Sequence, residues 1–137
     1  MSKAVGFLKR RAVVCSIMML IAAVHILRLG SYLQGELFNL YYSYFSDIAI
    51  PFGCYFLLYA PEVPKPVFGH WEAKSAIVFV VPSIAETLQY FGVPVLGSTF
   101  DPLDYAMYAV GAISAALVDR QVFSRVFGFW ITGSAER

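Results

Sequence analysis

Charged residues are scarce in this sequence. Asp, Glu, Lys and Arg make up 14% of its 137 residues, whereas soluble domains usually carry about 25%. Hydrophobic residues make up 59%, and the mean hydropathy is +0.67. A chain this short has room for one small core, which cannot bury so much apolar surface. Much of that surface must therefore face lipid, and the sequence predicts a membrane protein.

Several functional signals are also missing. The net charge is only +1, and no basic run with interleaved aromatic residues indicates nucleic-acid binding. Cys15 and Cys54 each lie in an apolar run, where a cysteine is typical of a small packed residue. No HExxH, GxSxG or Cys/His ligand cluster occurs, so neither a metal nor a cofactor is predicted. The basic N-terminus and its apolar run are not followed by an A-x-A-like cleavage signal, which predicts an uncleaved first span.

Four apolar segments are long enough, or nearly so, to cross a hydrocarbon core about 30 Å thick. They cover about 12–33, 40–60, 75–91 and 102–118. The sequence therefore predicts an all-α integral membrane bundle of four transmembrane helices, forming a single domain over 1–137. A further stretch, Val122–Ile131, is too short to cross, and we expect a short interfacial helix there.

Basic residues lie on one side of these spans. They occur before the first span, between the second and third, and after the fourth, while the opposite loops hold only Arg28, at the margin of the first span. Because Lys and Arg near span ends stay in the cytoplasm, we expect a multi-pass plasma-membrane protein with both termini cytoplasmic. Trp71 and Trp130 would then form an inner aromatic belt, and Tyr41 and Tyr42 part of an outer one.

That orientation brings a set of polar residues to the outer half of the bundle. The candidate ligand-binding residues are Arg28, Asp47, Glu86, Gln89, Asp101 and Asp104. One arginine cannot neutralise four carboxylates in a low-dielectric site. The sequence therefore predicts an outward-facing acidic pocket that is protonated, open to water, or completed by a cationic ligand or metal. The inner halves of the spans hold no Asp, Glu, Lys, Arg or His.

Each of these residues also has a structural explanation. Glu86 and Gln89 are three positions apart and share a helix face, where either could tie helices together. Asp101 suits a helix N-cap followed by Pro102 at the first helical position. Arg28 could pair with Asp47 or Glu86, or extend to the outer headgroups without a partner. Gly111 with Ala115 predicts a close helix-packing face.

The polar residues resemble a family signature. The segments Glu86-Thr-Leu-Gln89 and Thr99-Phe-Asp101-Pro-Leu-Asp104, followed by Gly111, resemble the E-x-x-Q and F-D-x-x-D pattern of VanZ-like membrane proteins. Asp47 is similar to the acidic residue at the start of that family's second span. The loop before Thr99 lacks the usual arginine, and Tyr108 replaces the usual asparagine. The resemblance covers Phe45 to Asp119.

The resemblance implies a four-span core and a role in the cell envelope. The family's named member is associated with resistance to the glycopeptide antibiotic teicoplanin. Four functions stay open: a non-enzymatic protein that binds an envelope lipid, glycan or glycopeptide-type ligand; an assembly subunit that docks on a membrane protein; a carboxylate-dependent intramembrane hydrolase; and an ion or proton route. The missing catalytic motifs favour the first over the enzyme.

Overall fold

The computed structural model describes residues 3–60, 66–95 and 99–130. Over these ranges the chain is helical and has no strand, which confirms the all-α prediction. The α-helices are α1 (Lys3–Ile26), α2 (Glu36–Leu57), α3 (Pro66–Gly69), α4 (Trp71–Tyr90), α5 (Pro102–Leu117) and α6 (Ser124–Val126). Within these described ranges, no helix combines the length and the apolar character needed to cross a membrane.

The first helix lies closer to the N-terminus than the apolar run predicts. It begins in the basic segment, whose Lys and Arg residues are good helix formers, and it ends at Ile26. Arg28 then adopts a left-handed conformation with φ 48° and ψ 45°, and a 3-10 turn follows over Leu29–Tyr32. A left-handed residue cannot continue a right-handed helix, so the predicted end near residue 33 was wrong.

Helix α5 lies between α2 and α4, while α1 packs mainly on α2. The crossing of α5 with α2 is close because Gly111 has no side chain. A Cβ atom there would collide with the backbone carbonyl of Ile48. Ala112, Ala115 and Ala116 are buried along the same helix, which confirms the predicted small-residue packing face.

The C-terminal segment does not form the predicted interfacial helix. Instead, α5 continues as a π-helix over Val118–Phe123 and then as α6. The chain next turns back, and Trp130 packs against Phe123 with 4.9 Å between ring centroids. Trp130 is 2% exposed, so its assignment to an inner aromatic belt was wrong. Phe123, Phe127 and Trp130 recur at helical spacing; Trp130 is buried in the core, and the two phenylalanines pack against it, partly buried.

Large apolar side chains cover much of the outer surface. Met19, Leu20, Val81 and Ile113, from three different helices, are each more than half exposed. The hydrophobic core itself is concentrated around Tyr55 and Phe56, near the C-terminal ends of α2 and α5. The molecule thus has an apolar exterior around a small, aromatic-rich interior.

Candidate functional site

Glu86 joins the end of α4 to the beginning of α5. Its side chain is buried, with only 1% exposed. One carboxylate oxygen accepts a hydrogen bond from the backbone N–H of Asp101 at 2.7 Å. The other accepts one from the Tyr108 hydroxyl at 3.4 Å. Because these two donors hold the carboxylate, Glu86 fixes the position of the first turn of α5.

Three more carboxylates lie within electrostatic range of one another and of Glu86. Asp101 caps α5 as predicted, since its Oδ1 accepts a hydrogen bond from the backbone N–H of Leu103 at 2.9 Å. Asp104 lies in the first turn of the same helix and is half-buried. Asp47 comes from α2, also half-buried, and lies within electrostatic range of Glu86 and Asp101. We call Asp47, Glu86, Asp101 and Asp104 the carboxylate cluster.

No basic side chain balances this cluster within the described ranges, where the one ion pair lies elsewhere in the bundle. The predicted pairing of Arg28 with Asp47 or Glu86 was therefore wrong, because the left-handed turn at Arg28 takes its side chain into a separate pocket. Gln89 does not join the cluster through its amide nitrogen, which donates to the carbonyl of Val95 at 2.7 Å. That bond closes the turn after α4. In this part of the chain, no three His, Cys, Asp or Glu side chains lie close enough to share a metal ion.

The separate pocket lies between the end of α1 and the first half of α2. It has a volume of about 380 Å³ and is lined by His25, Arg28, Tyr41, Tyr42, Phe45 and Ser46. Tyr41 and Phe45 stack with 4.8 Å between ring centroids, and His25 lies 5.3 Å from the Phe45 ring. We call it the aromatic pocket. The sequence identified Arg28 as a candidate residue, but it assigned Tyr41 and Tyr42 to an interfacial belt.

A second polar centre lies at the other end of the bundle. Lys74 and Asp119 form an ion pair at 3.2 Å, and both are almost completely buried. Asp119 also accepts hydrogen bonds from the hydroxyl of Tyr55 at 2.6 Å and from the indole N–H of Trp130 at 2.6 Å. The Tyr59 hydroxyl donates to it as well, at 2.7 Å. We call these five residues the lysine–aspartate centre.

The donors around Asp119 determine its charge state. Burial alone would raise the pKa of Asp119, but the Lys74 ammonium and the Tyr55, Tyr59 and Trp130 hydrogen bonds together lower that pKa below its usual value. Burial lowers the pKa of Lys74, and the attraction of Asp119 opposes this effect only in part. The Lys74 ammonium also lies 3.6 Å from the centroid of the Tyr59 ring. Opposite charges therefore meet here, with four donors around the Asp119 carboxylate.

Sequence reasoning missed the lysine–aspartate centre. Lys74 and Asp119 lie one residue outside the predicted third and fourth spans, so neither counted as an intramembrane charge. They are also 45 residues apart, and no local pattern links them. The available signal was weak: two opposite charges border apolar runs that enter and leave the bundle at the same end.

Comparison with known proteins found no relative, since no family model, curated protein or solved structure matches the chain. The VanZ-like assignment therefore stays a prediction that depends on the motif residues.

Proposed function

We propose that this chain is a VanZ-like integral membrane protein of the cell envelope, without enzymatic activity, whose carboxylate cluster binds a lipid, glycan or glycopeptide-type ligand at the outer face. The observation that carries the proposal is the gathering of four carboxylates from three helices with no basic side chain paired to them in the described ranges. An unbalanced cluster of this kind favours a ligand that brings ammonium or hydroxyl donors.

The distribution of apolar surface supports a membrane location. Large hydrophobic side chains are exposed on the outer faces of α1, α4 and α5. Lys74, Glu86 and Asp119 are instead buried between helices, where membrane proteins keep their ionisable groups. Water would solvate the outer faces poorly, whereas lipid tails would cover them without penalty.

The distribution of charge supports the proposed orientation. Arg11 donates a hydrogen bond to the carbonyl of Ala60 at 3.2 Å, which places the basic N-terminal segment beside the end of α2. Arg120 lies over the Trp71 ring at 4.9 Å, next to the start of α4. Basic groups thus gather at the end of the bundle opposite the carboxylate cluster, as the positive-inside rule requires of a cytoplasmic end.

The geometry of Glu86 favours binding over catalysis. A carboxylate hydrolase would use Glu86 as its general base, and a base must reach the proton it abstracts. Here Glu86 is only 1% exposed, and its oxygens already accept hydrogen bonds from the Asp101 N–H and the Tyr108 hydroxyl, so a substrate would have little access to it. Asp47 and Asp104 are only half-buried, so their carboxylates are the reachable members of the cluster.

Cysteine labelling tests the orientation. In a variant without Cys15 and Cys54, a single cysteine is placed at Thr99 or at Glu72, both of which are exposed. A membrane-impermeant maleimide should label Thr99→Cys in intact cells and should label Glu72→Cys only after the cells are permeabilised. The reverse pattern, or equal labelling of both sites in intact cells, would contradict the topology.

Binding measurements test the ligand site. The purified chain in a neutral detergent is titrated with phosphatidylethanolamine, chitotetraose and teicoplanin, one probe for each ligand class. For at least one probe, Asp104→Asn should weaken binding about tenfold, because a hydrogen bond to a charged group contributes roughly 1.5–3 kcal/mol. Glu72→Gln, at the opposite end of α4, removes one negative charge as a control.

Glu86→Gln separates ligand binding from a structural role. Weaker binding at normal membrane levels supports the proposal. Loss of the protein from the membrane favours a structural role for Glu86. If Glu86→Gln and Asp104→Asn both bind every probe as the wild type does, the carboxylate cluster is not the ligand site.

A further inference from the structure

Arg28 has a left-handed backbone conformation, and its guanidinium has no hydrogen-bond partner among the described residues. It is the one non-glycine residue with a positive φ in the part of the chain that the structure describes. Its backbone carbonyl accepts a hydrogen bond from the N–H of Ser31 at 2.8 Å, which stabilises the turn. Its guanidinium lines the aromatic pocket and forms no ion pair or hydrogen bond with the described residues. Five N–H donors are therefore available to a ligand.

The polar groups beside Arg28 are already oriented. The Nδ1 atom of His25 lies 2.9 Å from the carbonyl of Ile21, which requires a proton on Nδ1. In the neutral ring, Nε2 then accepts a hydrogen bond from the Ser46 hydroxyl at 3.1 Å. His25 and Ser46 thus hold each other on the pocket wall, and Arg28 is left as the free donor.

The apolar wall of the pocket consists of aromatic rings packed on one another. The Tyr41 ring lies directly against Gly30, where a Cβ atom would collide with it. Tyr41 also stacks on Phe45, and it packs edge-to-face with Tyr42, with 5.3 Å between the Tyr41 and Tyr42 ring centroids. Aromatic faces held in this way provide a surface for a ring or an apolar group attached to the ligand.

The charge of the lining residues indicates the class of ligand. Arg28 is the one Arg, Lys, Asp or Glu in the lining, and none of the four carboxylates lines the pocket. A planar guanidinium matches a phosphate group through two parallel hydrogen bonds. The volume of about 380 Å³ falls at the lower end of the range of small-molecule sites, roughly 300–1,000 Å³.

We propose that the aromatic pocket binds a phosphate ester, with the phosphate on Arg28 and the attached group against Tyr41, Tyr42 and Phe45. The shared chemistry fits a phospholipid headgroup or a free phosphate compound. This site does not rest on the proposed function, because it uses different side chains from the carboxylate cluster and does not depend on the orientation in the membrane.

Calorimetric titration of the purified full chain tests this site. The probes are inorganic phosphate, glycerol 3-phosphate and dihexanoyl phosphatidic acid, in a neutral detergent at low salt. Arg28→Asn removes the guanidinium and keeps a residue that tolerates the left-handed conformation. Arg28→Lys keeps the charge but loses the planar fork. Arg120→Gln removes the same charge at the other end of the bundle, and circular dichroism checks that each variant is folded.

The wild type should bind at least one probe, and Arg28→Asn should weaken that binding about tenfold or more, as for the loss of a charged hydrogen bond. Arg28→Lys should fall between the two, and Arg120→Gln should match the wild type. Binding of the lipid alone identifies a headgroup site, whereas equal binding of inorganic phosphate identifies a site for free phosphate. The proposal fails if the wild type binds no probe, if Arg28→Asn binds normally, or if Arg120→Gln weakens binding as much as Arg28→Asn does.

Discussion

Two buried carboxylates at opposite ends of the bundle have different surroundings. Asp119 pairs with the Lys74 ammonium at 3.2 Å and accepts hydrogen bonds from two tyrosines and a tryptophan. Glu86, by contrast, accepts hydrogen bonds from only a backbone N–H and a tyrosine hydroxyl. Lys74 and Glu86 are both on α4, about 18 Å apart along its axis at 1.5 Å per residue. One helix therefore carries a balanced buried charge at its start and an unbalanced one near its end.

The difference separates a structural centre from a candidate binding site. In the lysine–aspartate centre, opposite charges and three neutral donors satisfy one another, so no group is left for a ligand. In the carboxylate cluster, negative charges gather without a paired cation among the described residues. Natural proteins tolerate unfavourable electrostatics of this kind mainly where a function requires it.

The largest expected effect follows from removing one side of the balanced pair. Asp119→Asn should lower the free energy of unfolding by about 3–5 kcal/mol, because Lys74 would stay buried without an opposite charge. Denaturant unfolding in detergent, followed by circular dichroism, measures this loss. Glu72→Gln, which removes an exposed carboxylate from the same end of α4, should change the value by less than about 1 kcal/mol.

A double substitution sharpens this test. Replacing both charges with apolar residues, as in Lys74→Met with Asp119→Leu, should restore much of the stability, since a buried pair can often be replaced without net loss. If Asp119→Asn alone costs less than about 1 kcal/mol, the pair is not buried as described, and the contrast between the two ends disappears.

The balanced centre also predicts a pH dependence. Because the pKa of Asp119 is lower in the folded state than its ordinary value of 3.8, folding favours its ionised form. The stability that Asp119 contributes should be fully present above about pH 4 and should be lost as the pH falls through the lowered pKa. The difference in unfolding free energy between wild type and Asp119→Asn should stay constant from pH 7 to pH 5 and shrink only in stronger acid. A difference that shrinks between pH 7 and pH 5 would show that the pKa is raised instead.

The carboxylate cluster depends on the close crossing of α2 and α5. Gly111→Ala should lower the free energy of unfolding by about 1–3 kcal/mol, since its methyl group would push against the Ile48 carbonyl and separate the helices. The same change should weaken binding of any cluster ligand by moving Asp47 away from α5. Gly128→Ala is the matched control, because a Cβ atom there meets nothing within 4 Å. Equal stability of the two variants would contradict the close crossing.

Local signals in the sequence predicted much of the structure around the start of α5 and its crossing with α2. The Asp101 cap, the start of α5 at Pro102 and the packing role of Gly111 each follow from residue preferences over a few positions. These preferences act within one turn of helix or at one helix crossing. For that reason they could be inferred without knowing the tertiary fold.

The lysine–aspartate centre and the position of Arg28 depend on tertiary packing, so preferences over a few residues could not predict them. The Lys74–Asp119 pair requires two distant segments to meet, and Trp130 reaches Asp119 only because the chain turns back after α6. Arg28 was expected near the carboxylates because the predicted orientation places it at the outer end of the first span. A single left-handed residue changed the direction of the chain and placed Arg28 in the aromatic pocket instead.

The smallest expected effect separates the two roles of Asp101, which caps α5 and adds a negative charge to the cluster. Asp101→Ala loses both and should lower the free energy of unfolding by about 1 kcal/mol, the usual contribution of an N-cap. Asp101→Asn keeps a side-chain oxygen for the N–H of Leu103 and removes only the charge. Its stability should equal or exceed that of the wild type, because repulsion from Asp104 and Glu86 is relieved. Thermal unfolding of the two variants measures the difference. If Asp101→Asn is as destabilised as Asp101→Ala, the charge itself contributes to folding, and its attraction to the positive end of the α5 dipole outweighs the repulsion within the cluster.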